Sequence, residues 1–127
     1  MNNKLSVKYK EKDIHKRIYE FVIQVIKFTK LLHKTTQNMV IIHQVVKSVS
    51  SMGANDREAD ASESRKDFLA KYTIVKKEAN ETVFWLEVIR DTNKITVVQV
   101  EVNELISEGT EIYKIIRSII VNTKNRP

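Results

Sequence analysis

Two groups of residues in this sequence are of a type and spacing that could do chemistry. The first is a carboxylate set, Glu58 with Glu78 and Glu81. Carboxylates of this kind ligate metal in di-iron helical bundles, but that site also needs Glu-x-x-His pairs from two helices. The sequence contains no Glu-x-x-His, and His15, His33 and His43 fall away from the glutamates in the helical pattern. Nucleophilic catalysis is no better supplied. There is no cysteine and no Gly-x-Ser-x-Gly, and no histidine accompanies the serines around Ser48 and Ser51. A glycine loop to cradle phosphate is excluded because the two glycines, Gly53 and Gly109, are isolated. The expectation is a protein without enzymatic activity, metal or cofactor.

The second group is basic. Residues 1–34 hold nine of the 22 Lys and Arg residues against three carboxylates, and they account for the whole net charge of +6. Lys4, Lys8, Lys10, Lys12, Lys16, Arg17, Lys27, Lys30 and Lys34 are the carriers. Lys27, Lys30 and Lys34 share one helical face at i, i+3, i+7, and Tyr9 and Tyr19 lie among the lysines, placed to stack on unpaired bases. The competing reading is a solvated helix face, with Tyr19 as packing. Lys8, Lys10, Lys12, Lys16, Arg17, Lys27, Lys30 and Lys34 are taken as the candidate nucleic-acid-binding residues.

The elements that must position these residues follow from periodicity. With two glycines, one proline (Pro127) and no cysteine in 127 residues, the chain lacks the turns of an all-β fold and any disulfide framework. Four segments instead show a 3.5-residue apolar seam. They are Ile14, Ile18, Phe21, Val25, Phe28, Leu32; Met39, Ile42, Val46, Val49, Gly53; Phe68, Tyr72, Val75, Ala79, Thr82, Leu86, Ile89; and Ile95, Val98, Val102, Leu105, Gly109, Ile112, Ile116, Ile119. This predicts helices over about 12–33, 37–61, 65–92 and 97–123 in an up-down-up-down bundle spanning residues 12–124. Residues 1–11 and 125–127 are expected to be loose, the first a basic segment. Threonines after Lys34 and a capping box from Ser64 to Asp67 mark helix starts. The β-branched run from Ile95 alternates like a strand, but a lone strand would have no partner, so it is read as helix. No signal peptide or membrane span is evident, and a cytoplasmic location is expected.

Two further features concern contacts. Beside their seams the first helix carries Tyr19, Ile23 and Ile26, and the second Ile41, Val45 and Met52. An apolar arc this wide covers another surface, and these six are the expected oligomer interface. Asn55, Glu58, Lys71, Glu78, Glu81 and Thr82 flank or enter the seams of the second and third helices. They are expected to form an interhelical polar network with Trp85 packed over its end.

The stretches Gly53-Ala-Asn-Asp-Arg-Glu-Ala59, Ser64-Arg-Lys-Asp-Phe68 and Lys77-Glu-Ala-Asn-Glu-Thr-Val-Phe-Trp-Leu86 resemble the signature of the bacterial four helix bundle protein family. That family was first met as open reading frames inside 23S rRNA intervening sequences. The resemblance runs over roughly residues 12–124, since Asn103-Glu-Leu and Ile115-Ile-Arg-Ser-Ile-Ile are similar to its last helix. Asp56 departs from the pattern, standing where the family carries an aromatic or aliphatic side chain, and is expected at a surface contact. The proline common in the first connection is also absent.

The resemblance implies a left-handed four-helix bundle assembling as a homopentamer, without an established activity. A related group, the accessory variability determinants of diversity-generating retroelements, is similar to the same pentamer and binds RNA and a reverse transcriptase through a basic surface. Five copies of this chain would gather +30 on one particle. RNA or other nucleic acid is therefore the expected ligand. The alternative is a protein-interaction scaffold, for instance a reverse transcriptase subunit. Membrane-surface binding is not expected, because the apolar face of the first helix is claimed by the bundle.

Overall fold

The computed structural model describes residues 14–127. Four helices follow in order: α1 (Ile14–Thr29), α2 (Thr36–Asp60), α3 (Arg65–Thr92) and α4 (Thr96–Lys124), with no strand among the described residues. Helix α1 packs on α2 and α4, and α3 packs on the same two, so α1 stands diagonally across from α3. Hydrogen-bonded pairs 38–93, 48–82 and 56–72 fix α2 and α3 as antiparallel. The short connections make the other neighbours antiparallel too, which is a four-helix bundle.

The helix ends have local causes. Helix α1 stops at Thr29 rather than near residue 33. The Thr29 hydroxyl donates to the Ile26 carbonyl at 2.7 Å. The amides of Leu31 and Leu32 reach back only three residues, to Phe28 and Thr29, tightening the last turn to 3₁₀ spacing. Lys34 Nζ adds a second donor to the Thr29 carbonyl at 3.2 Å. Thr35 caps α2 and Ser64 caps α3, each side chain accepting the amide three residues on. The β-branched start of α4 is helical from Thr96 although Ile95 supplies no side-chain cap. Gln99 ties this first turn to the end of α3 by donating to the carbonyls of Arg90 and Asn93.

The core follows the seams on three helices. In α1, Ile14, Ile18, Phe21, Val25, Phe28 and the following Leu32 are all buried. In α3, Tyr72, Val75, Ala79, Thr82, Leu86 and Ile89 are buried while Phe68 is half-buried. In α4 the stripe starts at Val98, since Ile95 is exposed, and ends on Ile120 and Thr123 rather than Ile119, which is half-buried.

Helix α2 departs from its expected seam. Its buried residues are Asn38, Val45, Ser48, Val49, Met52, Asp56 and Ala59. Met39 is 50% exposed, and Ile42 and Val46 are half-buried. This corrects the expected oligomer interface at two positions. Val45 and Met52 are fully buried within the protomer's own core and have no surface to offer another copy. The physical reason is one of register: Val45, Val49, Met52, Asp56 and Ala59 form a single 4-3-4-3 line, and this line rather than the one through Met39, Val46 and Gly53 is turned inward.

Both glycines mark close helix approaches. A Cβ on Gly53 of α2 would sit 2.8 Å from Val22 Cγ2 of α1. At Gly109 of α4 it would sit 2.9 Å from Phe21 Cζ and 3.0 Å from Val83 Cγ2. The Phe21 ring is thus set over the middle of α4 by the missing side chain.

Candidate nucleic-acid interface

Of the candidate basic residues, Lys8, Lys10 and Lys12 lie outside the described residues, as does Lys4. Lys16, Lys27, Lys30 and Lys34 are exposed along α1 and the turn that follows. Lys16 approaches Glu20 at 4.0 Å, the loose geometry of a surface i, i+4 pair. Lys27 shares a groove between α1 and α4 with Glu101, Glu104 and Glu108, which offsets part of its field. Lys30 and Lys34 stand at the C-terminal end of α1, where the helix dipole also favours cations. Lys94, in the α3–α4 connection, is at the same end, because Asn38 Nδ2 donates to Asn93 Oδ1 at 3.0 Å and joins the two connections.

Arg17 requires a correction. Its Nε and Nη2 donate to Oε2 and Oε1 of Glu108 at 3.0 and 2.7 Å. This bidentate, half-buried fork joins the first helix to the last. Its charge is neutralised in place, so Arg17 belongs to the helix packing rather than to a phosphate-binding surface. Tyr19 is 56% exposed, with the Arg57 guanidinium 5.9 Å from its ring centre.

The expected polar network between α2 and α3 forms in part. Thr82 joins it, its hydroxyl 2.8 Å from Ser48 Oγ in a buried pair, while also donating to the Glu78 carbonyl. Lys71 pairs with Glu58 at 3.2 Å, but on the surface, with both side chains substantially exposed. Asn55 turns back to its own helix, donating to the Ser51 carbonyl at 2.9 Å. The Glu78 and Glu81 side chains take no hydrogen bond or ion pair among the described residues, and being half-buried they reach water without needing one. Trp85 packs against the core with its ring edge-on to Phe84, and its buried Nε1 has no hydrogen-bond partner.

A different polar centre lies nearby, and sequence reading missed it. Asp56, expected at the surface, is 4% exposed. Its Oδ1 accepts from the Tyr72 hydroxyl at 2.8 Å, and its two oxygens lie 2.9 and 3.0 Å from His15 Nδ1. His15 Nε2 lies 3.2 Å from Asp60 Oδ1. Three helices therefore meet on one buried carboxylate. The hydrogen bond to Asp56 holds the His15 ring above its ordinary protonation range, against the opposing effect of burial and with added pull from the charges of Asp56 and Asp60. Burial, reinforced by the Asp56 carboxylate, pushes the Tyr72 phenol well above the usual range, so it stays a donor. One signal was available: Asp56 continues the 4-3 spacing of Val49 and Met52, the line that α2 buries.

The remaining oligomer candidates are Tyr19, Ile23, Ile26 and Ile41. Tyr19 is exposed, and Ile23, Ile26 and Ile41 are half-buried, Ile26 and Ile41 being packed on the core. No helix of the described residues is long and apolar enough to cross a membrane. No group of three or more His, Asp or Glu side chains among them is arranged to hold a metal ion.

The fold and these surfaces place the chain among the small all-helical bundle proteins. The family model described as 23S rRNA-intervening sequence protein matches residues 10–118, and the chain belongs to that family. A solved structure is similar to it: a protein of unknown function from the S23 ribosomal protein family of Bacteroides thetaiotaomicron VPI-5482, determined by crystallography at 1.70 Å. The two are 36% identical with a TM-score of 0.75, over 84% of this chain and 97% of that one. No curated protein matches the chain.

Proposed function

We propose that this chain is a non-enzymatic, self-assembling protein that binds RNA or other nucleic acid through the basic surface of its N-terminal segment and α1. One observation carries the reading. Lys16, Lys27, Lys30 and Lys34 all stand exposed along one helix and its exit turn, and none is held by a carboxylate closer than 4.0 Å among the described residues. Exposed ammonium groups without a close carboxylate can displace the counterions condensed on a phosphate backbone, which is the main source of sequence-independent affinity. The family's link to 23S rRNA intervening sequences supports the same ligand class. Self-assembly, as the homopentamer that the family resemblance implies, would repeat the stripe around one particle. The exposed Tyr19 and Met39, with half-buried Ile23, Ile26 and Ile41, supply apolar surface for it.

The test is binding of a labelled RNA hairpin and of a labelled single strand over a salt series, with the oligomeric state measured in parallel. Affinity should fall steeply with salt. Reversing Lys27, Lys30 and Lys34 to Glu should flatten the logarithmic salt slope by roughly 2–3 units, as expected for three lost phosphate contacts. Absent or salt-insensitive binding by a confirmed oligomer would overturn the nucleic-acid reading. The chain would then stand as a protein scaffold, of which a reverse transcriptase accessory subunit is one form.

A further inference from the structure

We propose that His15 is a pH-operated latch: held as an imidazolium between Asp56 and Asp60, it fastens the first turn of α1 to α2, and loss of its proton loosens that turn. The geometry makes the case. A neutral imidazole carries one N–H and one lone pair. With Nδ1 donating to Asp56 at 2.9 Å, a neutral ring would turn its Nε2 lone pair toward Asp60 Oδ1 at 3.2 Å, acceptor against acceptor. Only the doubly protonated ring satisfies both carboxylates. Asp56 and Asp60 are one turn apart on α2, so both face α1. Asp56 is buried and fixed by Tyr72, whereas Asp60 is 62% exposed and free to swing into water once the attraction ends.

The surrounding charges come from every packed element. From α2, Asp56, Asp60 and Arg57 line the groove of about 540 Å³ that also holds His15 and Lys16. From α3 there is Tyr72, and from the turn after α4 Arg126 borders the small cleft on the other side of the ring. Arg57, Lys16 and Arg126 weigh against the proton, while the two carboxylates touch the ring at 2.9 and 3.2 Å and favour it. The direction agrees with this geometry, since the folded protein holds the His15 proton above the ordinary value of 6.5. The stabilisation is therefore complete below that ordinary value and is lost as pH rises through the raised folded value. Nothing in this inference depends on nucleic-acid binding.

The decisive measurement is an NMR titration of the His15 ring in the intact protein. His15 should titrate above the ordinary value of 6.5, Asp60→Asn should lower its midpoint, and backbone amides of residues 14–18 should shift with that same midpoint. A His15 midpoint at or below 6.5, or first-turn amides that do not follow it, would overturn the latch. Thermal melting gives a second reading. Between about pH 6 and about pH 9, a range spanning a raised histidine, the wild-type Tm should fall more than that of His15→Gln. Equal Tm profiles for wild type and His15→Gln would likewise refute the proposal, and if His15→Gln does not fold, the wild-type and Asp60→Asn titrations decide alone.

Discussion

The phenol of Tyr72 donates to Oδ1 of Asp56 at 2.8 Å, so a buried hydroxyl on α3 and a buried carboxylate on α2 hold each other in place. A charge this deep persists only when its lone pairs are taken up by donors. Here Tyr72 supplies one donor and His15 the other, each from a different helix.

Tyr72→Phe tests that dependence. The ring and its stacking on Phe68 at 4.6 Å remain, and only the donor is lost. The expected cost is about 1–3 kcal/mol, the penalty for leaving a buried acceptor short of a partner. Urea denaturation should show a lower midpoint with an unchanged m value.

Adding a methyl group separates the two glycines. Alanine gains about 1 kcal/mol of helix propensity over glycine at either site. At Gly109 the new Cβ meets Phe21 and Val83 together at 2.9 and 3.0 Å, inside the bundle. At Gly53 it meets Val22 alone, a half-buried side chain near the surface with room to change rotamer. Gly109→Ala should therefore destabilise by about 1–3 kcal/mol, and Gly53→Ala by less, as read from thermal or urea unfolding.

Breaking the Arg17–Glu108 fork should cost little stability and no nucleic-acid affinity. Both side chains keep a quarter to a third of their surface in water, so screening limits the pair to about 0.5–1 kcal/mol. Arg17→Gln should thus lower stability slightly while leaving the salt slope of RNA binding unchanged. A slope flattened by about one unit would return Arg17 to the phosphate-binding set.

Trp85 carries an unpartnered Nε1 against the core. Trp85→Phe removes that orphan donor together with some packing, and the two effects oppose each other. Its stability should stay within about 1 kcal/mol of wild type, whereas Trp85→Ala, which leaves a cavity, should cost about 3 kcal/mol. Equal losses in both variants would show that the indole N–H is satisfied in solution.

Much of the bundle was legible in the residues themselves. The α1 seam from Ile14 to Leu32 is buried as its 4-3 spacing requires, while Tyr19 on the second apolar line of that helix stays exposed. Helix α2 was harder to read. Its two apolar lines, one through Val46 and one through Val45, are offset by a single residue, and periodicity alone cannot say which of them turns inward. Of the expected polar network, Thr82 does take a buried partner across the helices, but that partner is Ser48, 34 residues away and not among the residues expected there. The network failed at Glu78 and Glu81, where half-exposed chains had no need of a partner. The His15–Asp56 contact was invisible because it spans 41 residues, and no local spacing encodes it.

The tie between Asn38 and Asn93 has a consequence for how the chain could be divided. It joins the α1–α2 hairpin to the α3–α4 hairpin, as do Ser48 with Thr82, Asp56 with Tyr72, and Arg17 with Glu108. Covalently, the two hairpins are linked only through the short segment 61–64. Cleavage there would yield complementary fragments whose matched polar groups act as a register code. Co-expressed, the halves would have one alignment in which these four pairs all meet.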